Sequence, residues 1–166
     1  SVIRKNANHI SSGIHSGVLA GSGNSISGDF SVALNGRSNV GSLSGSHSII
    51  SGERNVLNSP YSYNTILNSK QSLLSYSKNS VIISGSGNTI SSNYNSIING
   101  KNNYISFCSY SGVFAGVNNK VIAGYYSVVL GGKQNYIQNS YGVIIGGKDN
   151  ISTGTFTSIL GGSGNT

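Results

Sequence analysis

Few residues in this chain could do chemistry, and their spacing argues against it. Its 166 residues include three carboxylates, Asp29, Glu53 and Asp149, three histidines, His9, His15 and His47, and one cysteine, Cys108. A glycosidase needs two carboxylates converging on one bond, whereas these three are widely separated. None of the histidines has a recurrent Asp or Ser partner from which a triad could be built, and no Cys/His group has metal-ligand spacing. Cys108 has no partner for an intrachain disulfide and no activating histidine nearby, so it reads as a small, semi-buried side chain. The stretch "GSGNSISG" (21 to 28) shares glycines with phosphate-binding loops but lacks the closing Lys-Ser/Thr and a following helix. No enzymatic activity, metal or cofactor is expected.

The cations are more regular. Ten Lys or Arg against the three acids give a formal charge of +7, which favours polyanionic partners or serves solubility alone. Arg37, Arg54, Lys70, Lys101, Lys133 and Lys148 recur at one point of a repeating pattern. They form either a ladder for an anionic polymer, such as a host-surface glycan or nucleic acid, or a charged edge that blocks lateral aggregation, the preferred reading. Tyr94, Tyr110, Tyr126, Tyr141 and Phe156, with Phe30, share a second register. An aromatic stack at a corner is expected, with a sugar-stacking face as the alternative. Ser16, Ser31, Ser80, Ser111, Ser127 and Thr157 share a third, interrupted by His47 and Tyr63. It is similar to the hydroxyl arrays of ice-binding solenoids without their Thr richness, and ice binding is the remotest alternative.

These registers exist because the chain repeats itself. Ser, Gly and Asn make up about half of it, with a single Pro and neither Trp nor Met, yet Ile, Val and Leu recur too regularly for a flexible linker. Aligned on asparagine, the series Asn8, Asn24, Asn39, Asn55, Gln71, Asn88, Asn103, Asn119, Asn135, Asn150 and Asn165 runs end to end in steps of 15 to 17. Gly21, Gly36, Gly52, Gly85, Gly100, Gly116, Gly132, Gly147 and Gly162 stand three residues before their asparagines. Ahead of each Gly, after one spacer, come two apolar residues, as in Val18-Leu19, Ile49-Ile50, Ile82-Ile83, Ile97-Ile98, Val113-Phe114, Val129-Leu130, Ile144-Ile145 and Ile159-Leu160. Another apolar residue usually follows two after the Asn.

Short β-branched runs punctuated by Gly, Ser and Asn exclude helices, and the unit is too short for a propeller blade or helical pair. It fits an all-β, parallel β-solenoid, a two-stranded β-roll of about 15–16 residues per coil and roughly ten coils. Gly would supply positive φ at the corner, and the asparagines would tolerate the corner and bond coil to coil as a ladder. Residues 58 to 80 depart from the pattern: Asn68 stands for the Gly, Gln71 for the Asn, and Pro60 lies just upstream. A drifted repeat with a longer loop is expected there, with a binding protrusion carrying Tyr61, Tyr63 and Tyr76 as the alternative. Residues 1–166 form one repeat domain that starts and stops in mid-repeat, as a segment of a longer fibre would. Apolar runs are too short to insert in a membrane, and no signal peptide is visible.

Adjacent strand residues point to opposite faces, so one member of each apolar pair lines the interior and the other forms an outward stripe. Such a stripe marks an interface, and parallel copies about an axis along the rod would bury it coil by coil.

"SVALNG" (31 to 36), "SVVLGG" (127 to 132) and "GVIIGG" (142 to 147) resemble the head repeats of trimeric autotransporter adhesins, and trimeric fibres of phages and large viruses are comparable. This unit is slightly longer than the adhesin repeat, carries Asn where that family often has Ser or Ala, and comes without neck, stalk or anchor motifs. The resemblance implies a left-handed roll, a parallel homotrimer and a place outside the cell, on a cell or virion surface. The expected role is a structural and adhesive fibre segment. An end-to-end polymerising filament subunit and a polyanion- or glycan-binding solenoid are the alternatives.

Overall fold

The computed structural model describes residues 2–3, 8–10, 14–42 and 46–166. The chain winds as a parallel β-solenoid, and the described residues contain no helix. Successive strands fall alternately into an eleven-stranded sheet, here sheet A, and a ten-stranded sheet B. Each strand pairs only with its equivalents one coil below and above, as in Val113↔Val129↔Ile144↔Ile159. From Gly17–Val18 to Ser158–Ile159 the solenoid makes about nine turns of about 16 residues.

Most strands are two or three residues long because both corners use left-handed backbone, which ends an extended stretch. At the first corner the expected glycines, Gly21 to Gly162, all have positive φ, between 88° and 135°. The requirement is also steric. A Cβ on Gly116 would lie 2.2 Å from the Gly132 carbonyl oxygen of the next coil.

The asparagines form the expected ladder, with amide-to-amide bonds such as Asn39 Nδ2 to Asn24 Oδ1 at 3.0 Å and Asn135 Nδ2 to Asn119 Oδ1 at 3.1 Å, but they do not themselves take the left-handed corner conformation. Asn24, Asn39, Asn55, Asn88, Asn103, Asn119, Asn135 and Asn150 are buried, while Asn165 is exposed in the last coil. Each Oδ1 accepts the backbone N–H of the next ladder residue, for example Asn103 to Asn88 and Asn119 to Asn103, both 3.0 Å. Most Nδ2 groups donate to a corner carbonyl of the next coil, as from Asn39 to Gly52 and from Asn119 to Gly132. An amide has donors and an acceptor in one plane, so each Asn satisfies backbone groups that water cannot reach. The left-handed conformation falls on the residue before it, among them Ser38, Arg54, Gln71, Asn102, Asn118, Gln134 and Asp149, with φ between 52° and 59°.

That distinction corrects residues 58 to 80. Ser69, not Asn68, takes the Gly slot opposite Gly52. Ser72, not Gln71, takes the ladder slot: its N–H donates to Asn55 Oδ1 at 3.0 Å, and its Oγ accepts the Asn88 N–H at 3.3 Å. Asn55 to Ser72 spans 17 residues, so counting by side-chain type slips by one. The strands Val56–Asn58, Asn64–Lys70 and Leu73–Ser75 continue the sheets through this region, and its surplus lies in the connection 59–63.

The interior is two facing columns of aliphatic side chains, one per coil from each sheet. Val18, Ala33, Ile49, Ile66, Ile82, Ile97, Val113, Val129 and Ile144 come from sheet A, and Ile26, Leu57, Leu74, Ile90, Ile105, Val121 and Ile137 from sheet B. At Gly41 sheet B has no side chain to give, and Ile26 leans into the space, its Cδ1 3.0 Å from where a Cβ would stand. The core divides there into a small cluster around Val18, Ile26 and Ala33 and a long one above it.

Candidate functional site

The outer face of sheet A bears the expected second stripe. The first member of each apolar pair points inward and the second outward. Leu19, Ile98, Phe114, Leu130, Ile145 and Leu160 are exposed, between 37% and 76%, and Leu34, Leu67 and Ile83 are half-buried. The Ile50 side chain lies outside the described set. Two residues earlier along each strand a second outward column carries Val32, Val81, Val128 and Val143 among Gly, Ser and Thr. The Phe114 ring folds over Gly112, where a Cβ would lie 3.2 Å from Cε2. Among the described residues neither column holds a charged residue.

One edge of this face is aromatic. Tyr94, Tyr110, Tyr126, Tyr141 and Phe156 stack in one pile with centroid separations of 4.9, 5.1, 5.4 and 4.6 Å and interplanar angles of 13° or less. His15 stacks on Phe30 at 5.2 Å, and Asn79 separates Tyr63 from the main pile. All these rings stand on residues with φ between 53° and 64°, a conformation rare for aromatics. The offset, coil-spaced contacts are the geometry π-systems favour.

The other edge carries most of the expected cations. Arg37, Lys70, Lys101, Lys133 and Lys148 are exposed and occupy one column of coil-to-coil bridges. Glu53 occupies the slot expected for Arg54, which stands one residue on in left-handed backbone. Glu53 pairs with Lys70 at 3.5 Å and Arg54 at 3.8 Å, and Asp149 with Lys148 at 3.3 Å. Ser86 and Val117 also interrupt the column, so only Lys133 and Lys148 stand on neighbouring coils.

The hydroxyl register points inward. Ser16, Ser31, Ser80, Ser111 and Ser127 are buried, and Asn64, not Tyr63, continues them opposite His47. They serve the second corner: Ser111 Oγ accepts the Ser127 N–H at 3.1 Å and donates to the Gly124 carbonyl at 2.5 Å. Only Thr157, half-buried near the end of the chain, departs from this, so the ice-binding reading loses most of its array. Small hydroxylic residues were legible in the sequence, but which way they faced depends on corner geometry.

The remaining reactive groups do not converge. Asp29 accepts the Ile14 N–H at 2.8 Å. Glu53 and Asp149 lie in other coils, His9 faces out from sheet B, and the His47 side chain is outside the described set. Cys108 is buried beside Ser92 and the Val121 carbonyl, and burial raises its thiol pKa above the ordinary 9.0 against weaker opposing hydrogen bonds.

Sheet B holds a feature the repeat pattern did not announce. Tyr104, Lys120 and Tyr136 follow one another on its outer face, beside an open groove of about 600 Å³. The only signal in the sequence is the residue after each ladder Asn, which varies from coil to coil. No family model, curated protein or solved structure matches the chain.

Proposed function

We propose that this chain is a structural and adhesive segment of a surface fibre, in which parallel copies associate through the outer face of sheet A. The observation that carries the reading is the uncharged apolar face running from Leu19 to Leu160. Nine coil steps of ~4.8 Å by a strand width of ~10 Å give a flat footprint on the order of 400 Å². Contiguous apolar patches of that size are commonly interaction sites.

A parallel arrangement about an axis along the rod suits a face that repeats every coil, because equivalent residues then meet in register. A trimer with left-handed coils is the form implied by the similarity of "SVVLGG" and "GVIIGG" to adhesin head repeats. The aromatic pile and the cation column flank the buried face, and the charges oppose unwanted lateral contacts. The role is mechanical rather than catalytic, and its place is outside the cell, on a bacterial or virion surface.

Native mass by light scattering tests this reading. A mass near three times the 17.1 kDa chain supports the trimer. A folded 17.1 kDa monomer at micromolar concentration overturns self-association, and an open-ended mass distribution favours a polymerising filament subunit instead.

A further inference from the structure

From the outer face of sheet B we infer that the groove at Tyr136 is a binding site for an extended anionic glycan lying along the rod. This identifies the ligand class a fibre segment would display on its outer side, and so rests on the adhesive part of the proposed function. The site itself is complete within one chain and needs no assembly.

Four observations converge. Tyr104 and Tyr136 lie two coils apart in one outward column with Lys120 between them. Their rings take no part in the aromatic pile, which leaves ring faces for the C–H faces of a sugar. Alongside, Asn102, Asn118, Gln134 and Asp149 form a second column, one side chain per coil, that lines the groove with Tyr136 and Lys120. The amides of Asn102, Asn118 and Gln134 are exposed on left-handed backbone and are not engaged in the internal ladder, so donors and acceptors stand free at every coil step.

The charge around the groove selects among polymers. Lys120 is in it, and Lys101, Lys133 and Lys148 immediately precede Asn102, Gln134 and Asp149 in the chain, against one carboxylate. This balance attracts a polyanion. Uncharged amides and the Asp149 carboxylate suit hydroxyl groups better than an unbroken run of phosphates, which favours an acidic or sulfated polysaccharide over nucleic acid. Amides repeating every ~4.8 Å also match the advance of an extended pyranose chain by about one sugar per coil.

The test is titration calorimetry with a heparin-derived hexasaccharide, with uncharged cellohexaose and a thymidine oligonucleotide as competing probes. The hexasaccharide should bind most tightly and lose affinity as salt rises. Tyr136→Ala should weaken binding roughly tenfold, while Tyr136→Phe, which keeps the ring, should bind like the parent chain. Lys120→Gln should weaken binding and reduce its salt dependence, as loss of one anion contact does. Lys70→Gln, far along the rod, should change nothing.

No hexasaccharide binding, unchanged binding by Tyr136→Ala, or tighter binding of the oligonucleotide each overturns the inference. Native mass and circular dichroism on the same samples show whether a variant is folded and assembled. A failed glycan site in an intact oligomer, and an intact glycan site on a monomer, are therefore distinguishable results.

Discussion

Ile97 ends a strand of sheet A and Ile98 follows it directly, yet Ile97 is fully buried and Ile98 is 37% exposed. The pair recurs in nearly every coil, which makes one side chain in two of this apolar set unnecessary for the interior of a single chain. The proposed association of copies would account for the outer one, since a lone rod would gain solubility from a polar residue there.

The inner residue should govern the fold. Ile97→Ala removes methyl groups from a core column with no water access, at a cost of about 2–5 kcal/mol. Ile98→Ala should cost well under half as much in a monomeric state. Urea unfolding at protein concentrations below assembly compares them, and equal losses would contradict the assignment of faces.

The ladder should matter through the groups it satisfies. Asn119 Oδ1 accepts the Asn135 N–H, and its Nδ2 donates to the carbonyls of Ala115 and Gly132. Asn119→Ala leaves buried polar backbone unpaired, an expected loss of about 1–3 kcal/mol in a urea titration. The exposed neighbour Asn118, already left-handed at φ 57°, should accept Gly with little change.

Two glycines one coil position apart in role should behave oppositely. A Cβ on Gly116 would collide with the Gly132 carbonyl, whereas one on Gly131 would meet nothing within 4 Å. Gly116→Ala should be strongly destabilised and Gly131→Ala nearly silent by thermal unfolding. Comparable melting temperatures would contradict the stacking of the corner.

Cys108 should be inert in the folded chain. Burial raises its thiol pKa above 9.0, so the folded state holds the proton more tightly than the unfolded one. The sign follows by linkage: this group leaves stability intact below the unfolded thiol's pKa and lowers it as pH rises from there towards the folded value. Thiol-reactive dye at pH 8 should label the protein only after denaturant is added, and rapid labelling of the native chain would contradict the burial.

How much of this was legible without coordinates can be seen from particular residues. The spacing of Asn103 and Asn119 and the apolar pairs were enough for the solenoid, the coil length and the outward stripe, because pleat alternation and coil period are dictated locally. The direction of Ser111 and Ser127 was not legible: a hydroxyl suits either face, and its burial follows from the backbone it serves. Ser72 escaped because a 17-residue step shifts the count while a different side chain supplies the same acceptor. The Tyr136 groove escaped because it is made by residues from four coils, drawn from positions that the repeat pattern leaves variable.

In-register packing of copies through sheet A can be measured directly by a spin label on Ser96, in a chain whose own thiol is removed by Cys108→Ser. Facing sheets pack about 10 Å apart, so labels on equivalent Ser96 positions should show strong dipolar coupling between chains. The same label on Ser91 of sheet B should couple more weakly. Absent coupling at Ser96, or stronger coupling at Ser91, would contradict assembly through the outer face of sheet A.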